Sequence, residues 1–270
     1  MIKIPKSYNY ISAFLTFACN FKCHYCINKY NGLYRYKQMP VQDWIEGLNR
    51  IETRRDLPIT LTGGEPTLYP DFYILVRNVY KHLDLLTNGN FDTDDFMRII
   101  GFDKFARNAP YASIRFSYHP NYTNVLKLLS KVYRLHREGY SVGVWAVGNS
   151  VRNNTLQKLF RLFNIDFRIK EYLSKNSGTY KYAGGLDGKR KKSLCKPSEL
   201  LIAPDGRLFR CHHDLYHGVG SYGNILDKDI KLPDDYLPCD NFGLCNPCDL
   251  KLKFDRYQRN GHCSVEIKNG

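Results

Sequence analysis

The 270-residue chain has no apolar run of the ~18 residues that a membrane-spanning helix needs, which excludes such a helix. Its first residues, MIKIPKSYNYISAFLTF, carry charge where a secretory signal would be apolar, so a cytoplasmic protein is expected. There is no internal repeat and no low-complexity tract, which excludes repeat architectures and tail-like disorder. Acidic residues are scarce beside basic ones, 26 against 40, and the net charge is +14. That imbalance predicts attraction for anions such as phosphates, nucleotide sugars or acidic peptides; a solvated basic surface is the plainer alternative. No nucleic-acid motif accompanies the charge. The densest basic run, GKRKK at residues 188–192, reads as a mobile loop, so nucleic acid is not an expected partner. The nine cysteines are an odd number and they cluster. Without a secretion signal, metal or iron–sulfur ligation is the expectation rather than disulfides.

What is present supports a real core: 43% hydrophobic and 14% aromatic residues. Through the first two-thirds, short apolar runs alternate with segments of helical period. Strands are expected at residues 10–17, 58–62, 82–87, 113–118, 141–147 and 167–173. Helices are expected at 41–51 (Trp44, Ile45, Leu48 and Ile51 on one face), at 71–80, and at 123–138, where Val125, Leu128, Leu129, Val132 and Leu135 form a core stripe. Such alternation implies parallel strands with right-handed crossovers, an α/β barrel or open sheet with its chemistry at the C-terminal strand ends.

Three cysteines, Cys19, Cys23 and Cys26, stand in ACNFKCHYCIN at residues 18–28. They lie in the loop after the first expected strand. Three thiolates can hold three irons of a cubane and leave the fourth open, and an open position marks a catalytic metal site. A second motif, TGGEP at residues 62–66, ends the second strand. Gly63 and Gly64 would let backbone approach a ligand closely, Glu65 offers an acceptor for an ammonium, and Pro66 turns the chain away. The C-x3-C-x2-C loop with Tyr25 before its third cysteine, followed by GGEP, resembles the radical S-adenosylmethionine (SAM) superfamily. The resemblance implies a partial (β/α)6 parallel barrel. It implies a 4Fe–4S cluster on Cys19, Cys23 and Cys26, with SAM as the fourth ligand through its amino and carboxyl groups. One electron, from a flavodoxin- or ferredoxin-type donor, would then break the sulfonium bond, and the deoxyadenosyl radical would take a hydrogen atom from substrate. Cofactor-binding roles follow for Tyr25, Gly63, Gly64, Glu65 and Pro66. They extend more loosely to Asn88 after strand three, to Arg115 and Ser117 on strand four, and to Tyr172 beside Glu171 at the end of strand six. His119, next to Pro120, reads as a loop residue.

Near residue 175 the alternation stops. Residues 1–175 are expected to form the radical SAM core and 176–270 a small domain stapled by its cysteines. Cys195 and Cys211 enclose an Asp-Gly turn at Gly206 between two apolar runs, a β-hairpin that brings two thiolates together, with a short helix expected nearby. This C-x10-G-x4-C pattern resembles the opening of SPASM and shorter twitch domains, which carry auxiliary 4Fe–4S clusters. The resemblance implies a second 4Fe–4S cluster, expected on Cys195, Cys211, Cys245 and Cys248 with Cys239 in reserve; zinc in the same thiolates is the alternative. Cys239 and Cys263 are then candidate catalytic hydrogen-atom donors, as in radical epimerases. The implied reaction is dehydrogenation or epimerisation of a polar or anionic sugar- or cyclitol-like molecule. Maturation or epimerisation of a ribosomally made peptide is the alternative, and a non-catalytic iron–sulfur or zinc module is a more remote one. Many peptide maturases carry a peptide-recognition domain ahead of the barrel. Here the first expected strand begins near residue 10, which favours the small molecule.

Overall fold

All six expected strands form: β1 (Tyr10–Thr16), β2 (Ile59–Gly63), β3 (Leu83–Thr87), β4 (Ile114–Tyr118), β5 (Val142–Val147) and β6 (Asp166–Lys170). The computed structural model describes residues 1–29, 34–54, 57–106, 109–173, 180–182, 184–253 and 263–269. The strands pair in parallel, each beside the next in the chain. One helix lies in each crossover: α1 (Val41–Asn49), α2 (Phe72–Asn78), α3 (Thr93–Ile99), α4 (Val125–Arg137) and α5 (Val151–Arg161). A strand order that follows chain order is that of a barrel; a doubly wound sheet would reverse direction from its first strand. Side-chain caps start three of the helices. Asp92, Asn124 and Ser150 accept from backbone N–H groups of the first turns of α3, α4 and α5.

Period-two alternation sorts each strand onto two faces. Ile11, Ala13 and Leu15 of β1, Ile59 and Leu61 of β2, and Ile114 and Phe116 of β4 enter the main core with Trp44, Leu48, Leu128, Val132 and Leu135 of the helices. The intervening positions point inward, and at the barrel floor they are polar. Arg115 reaches Asp84 at 3.2 Å, the Tyr10 hydroxyl at 3.0 Å and Thr60 Oγ1 at 3.4 Å. Arg115 is 4% exposed and Asp84 fully buried, so this ion pair is sealed; all three of these bonds leave Nη2, and Nε finds no hydrogen-bond partner among the described residues. The helix expected over 41–51 stops at Asn49. Ile51, fully buried, turns instead into a two-residue parallel ladder, Ile51–Glu52 beside Ile2–Lys3.

The sheet continues into the C-terminal part. β7 (Lys191–Pro197) leads into β8 (Glu199–Ile202), which pairs in parallel with β1 and antiparallel with β9 (Leu208–Phe209). The expected hairpin is therefore β8–β9, turning at Gly206 with φ +84°, and it extends the barrel sheet beyond β1. α6 (His212–His217) follows. A second sheet, not expected from the sequence, sets β7 between β10 (Leu237–Phe242) and β11 (Val265–Asn269), both antiparallel to it, with α7 (Pro247–Leu250) alongside. The basic run at 188–192, expected as a loop, enters β7 at Lys191, whose side chain pairs with Asp187 and whose backbone lies opposite Phe242. The boundary expected near residue 175 lies outside the described residues. No helix among the described residues is long and apolar enough to cross a membrane.

Candidate functional site

The cysteine loop leaves β1 at the barrel mouth and is gripped by the end of β2. The Gly64 N–H donates to Thr16 O at 2.7 Å and the Glu65 N–H to Ala18 O at 2.8 Å. A Cβ on Gly63 would stand 2.1 Å from Thr16 O; one on Gly64 would stand 2.2 Å from Ala18 O and 2.6 Å from Phe17 O. Gly63 also has φ +133°. The two glycines, expected to admit a ligand, thus admit the backbone that carries Cys19. Asn28, just past Cys26, completes the grip by donating to Gly63 O at 2.9 Å.

Glu65 is 1% exposed. Its carboxylate accepts from Thr67 N at 3.2 Å and from Thr67 Oγ1, Thr87 Oγ1 and Asn88 N, each at 2.6 Å. Burial pushes its pKa up while these donors oppose that. Glu65 is therefore a clamp joining the ends of β2 and β3: Oε1 takes three of these bonds and Oε2 one. Pro66 opens the 3-10 turn Pro66–Leu68 that Glu65 caps. Asn88, tied to Glu65 through its N–H, turns its side-chain amide to Asn20 Oδ1 at 2.7 Å, inside the cysteine loop.

His119, expected as a loop residue, belongs to this site. Its Nδ1 lies 3.2 Å from Cys23 Sγ and 2.8 Å from the Tyr25 hydroxyl. Burial pushes its pKa down to about 4, so the imidazole is neutral. The available sequence signal was its position directly after β4. Tyr25 stacks on His119 and meets Tyr172 edge-on at 6.1 Å, so two residues assigned to the cofactor lie together. Ser117 is half-buried on the inward face of β4, one step nearer the mouth than Arg115. Arg115, assigned to the cofactor, is instead committed to the floor.

A second cysteine cluster forms beside the barrel. The register Leu237↔Cys195 and Cys239↔Ser193 places Cys195 and Cys239 on one face of the β7–β10 pair, on a diagonal. Cys211 is the N-cap of α6 and accepts from Asp214 N; Cys245 precedes α7. These four thiols line one cavity, with Arg210, Asp214 and Asp249 on its wall. A hydrogen bond from Cys195 holds the Cys239 thiol below its ordinary pKa and Cys195 correspondingly above. Burial pushes Cys211 up and Cys245 to about 12. Cations that displace those protons would fit this donor set. Among the described residues no three His, Cys, Asp or Glu converge on a point that would hold a single metal ion.

Two expectations shift here. Cys239, held in reserve, lines the cavity, whereas Cys248, expected as a ligand, does not. Asn246 caps α7 and accepts from the Cys248 N–H, and burial pushes the Cys248 thiol up to about 11. Cys263, a candidate hydrogen donor, is 1% exposed and donates its S–H to Leu250 O at 3.2 Å, a structural contact. The two cysteine centres are coupled by α6. Five residues after Cys211, Tyr216 donates its hydroxyl to Asn28 Oδ1 at 2.8 Å. Neither Asn28 nor Tyr216 was singled out in the sequence.

Among known proteins, an S-adenosylmethionine-dependent nucleotide dehydratase of Thermoplasmatales archaeon (strain ISO4-H5) is 32% identical over 82 residues, 29% of this chain and 29% of that protein. The match thus spans under a third of that relative's length. Streptococcus suis SuiB bound to its precursor peptide SuiA superposes with a TM-score of 0.55 at 14% identity, over 82% of this chain and 63% of that one. Native anSMEcpe, with bound AdoMet and the Cp18Cys peptide, gives 0.56 at 18% identity, over 81% and 77%. At such identities the likeness is one of fold. Residues 14–148, half of the chain and the stretch from β1 through β5 that holds the cysteine loop, the glycine grip and His119, match the family model of the Radical SAM superfamily. The chain belongs to the radical SAM superfamily, whose members are enzymes that use SAM and a 4Fe–4S cluster.

Proposed function

We propose that this enzyme carries a second, auxiliary 4Fe–4S cluster on Cys195, Cys211, Cys239 and Cys245. We further propose that it oxidises or epimerises a polar, sugar- or cyclitol-like substrate held in the barrel between the two centres. The ring of four thiols around one cavity, tied through α6 to the cysteine loop, carries this reading. Four protein thiolates leave no iron open, so the auxiliary centre suits electron transfer and the three-cysteine centre suits cofactor binding. When bound, SAM and the cluster on Cys19, Cys23 and Cys26 would supply the hydrogen-abstracting radical, with the reducing electron from a flavodoxin- or ferredoxin-type donor.

The chain's own residues do the rest. The glycine grip and His119 fix the cysteine loop; Tyr25 and Tyr172 supply aromatic faces at the mouth; Arg115 and Asp84 seal the floor against water. Between oxidation and epimerisation, the auxiliary centre favours the first, as an acceptor for the substrate's second electron.

Dithionite-reduced, anaerobically reconstituted protein is expected to convert SAM to 5′-deoxyadenosine without substrate, and a Cys19/Cys23/Cys26→Ala variant is expected to form none. Equal yields from both, measured by chromatography, would refute the catalytic reading.

A further inference from the structure

Arg210, His213, Asp214 and Asp249 share the wall of the auxiliary cavity with its four thiols. Both carboxylates are buried, and each is answered in its own way. Asp249 accepts from backbone, the His212 N–H at 2.7 Å and the His213 N–H at 3.2 Å. Asp214 is answered by Arg210, whose Nε donates to Asp214 Oδ2 at 2.7 Å. Arg210 Nη1 donates in turn to Pro238 O at 3.1 Å. The guanidinium is thus held between two of the proposed ligands. Arg210 directly precedes Cys211 in the chain, and its bond to Pro238 ends on the residue before Cys239. The fully buried Phe209 anchors it from β9, and its side chain is only 15% exposed. Among the described residues on that wall, Arg210 is the one whose positive charge does not depend on pH.

Four thiolates make a 4Fe–4S cluster anionic. Accepting an electron adds another negative charge where burial already makes charge costly. A cation held on the wall offsets that addition, and it favours the reduced state more than the oxidised one. We propose that Arg210 raises the reduction potential of the auxiliary cluster and so fits it to accept the substrate's second electron. In that step the carbinol radical left by hydrogen abstraction gives one electron to the cluster and its hydroxyl proton to solvent, and a carbonyl forms. Arg210 acts through the cluster and not on the substrate. The assignment rests on the auxiliary-cluster reading and adds what makes that centre an acceptor.

The test is a redox titration of anaerobically reconstituted protein with dithionite, followed by electron paramagnetic resonance at the signal that SAM does not shift. Iron and acid-labile sulfide are counted on every sample. Arg210→Gln is expected to make reduction about tenfold less favourable, a potential about 59 mV lower for one electron. Asp214→Asn removes the opposite charge of the same pair and is expected to shift the potential upward. Structural loosening alone would not give the two variants opposite signs. An unchanged or raised potential in Arg210→Gln, or shifts of one sign in both variants, overturns the assignment. Where Arg210→Gln fails to load its cluster, Asp214→Asn decides, and a potential at or below that of the wild type overturns the assignment. Wild-type protein that loses no iron in Cys239→Ala would defeat the auxiliary-cluster reading itself, a result that the iron count separates from the potentials.

Discussion

Cys239→Ala is expected to lose about four irons per reconstituted chain, as are Cys195→Ala, Cys211→Ala and Cys245→Ala, while Cys248→Ala loses none. Spacing alone argues the reverse, because Cys245 and Cys248 form a C-x2-C pair. The structure separates that pair. Cys245 lies ahead of the Asn246 cap and lines the cavity; Cys248 lies inside the one-turn helix and does not line it. The β7–β10 register meanwhile brings Cys239 to Cys195 across the ladder. Iron and acid-labile sulfide per chain decide the matter. Iron lost in Cys248→Ala and retained in Cys239→Ala would restore the ligand set expected from spacing. Because Cys248 is half-buried and belongs to no element of the barrel core, its alanine variant should fold, and circular dichroism provides the control.

Gly64→Ala is expected to cut deoxyadenosine formation by roughly 100-fold or more while leaving the auxiliary centre loaded. The added Cβ would overlap Ala18 O and Phe17 O, both backbone atoms that cannot rotate away. β2 or the cysteine loop must therefore shift by a sizeable fraction of an ångström, and misplacement on the ångström scale costs about 100-fold in reactions that depend on orientation. The displaced loop carries Cys19 one residue further on, so its iron occupancy is expected to fall as well. The auxiliary cavity is built from β7, β10, α6 and α7, distant in sequence from this contact, and should retain its iron. Near-normal deoxyadenosine yield from Gly64→Ala would show that the close approach of β2 to the loop is not what positions the cofactor.

The barrel was legible in the sequence because its signals are local. Six apolar runs of strand length, separated by segments of helical period, admit few parallel topologies, and the structure realises the expected one. The cysteine loop and GGEP were legible for the same reason: each is a short contiguous string whose placement after a strand follows from the alternation. What was hidden depends on long-range pairing. Nothing near residue 239 announces that β10 will lie beside β7, so the place of Cys239 on the cavity wall was hidden. Glu65 looked like a free acceptor because its four donors come from Thr67 and from the end of β3. Arg115 looked like a cofactor ligand because Asp84, its partner, sits on a neighbouring strand at a depth the sequence does not disclose. His119 was passed over because a histidine before a proline is ordinary loop composition; only the return of the loop from β1 brings Cys23 and Tyr25 to it.

The central claim is that one cysteine centre is open to SAM and the other is closed by four thiolates. Electron paramagnetic resonance of the dithionite-reduced, reconstituted protein, recorded before and after addition of SAM, tests it most directly. Two signals are predicted. One shifts when SAM is added and is absent from the Cys19/Cys23/Cys26→Ala variant; the other is indifferent to SAM and is absent from Cys239→Ala. A single signal, or a pair that SAM leaves unchanged, would contradict the account.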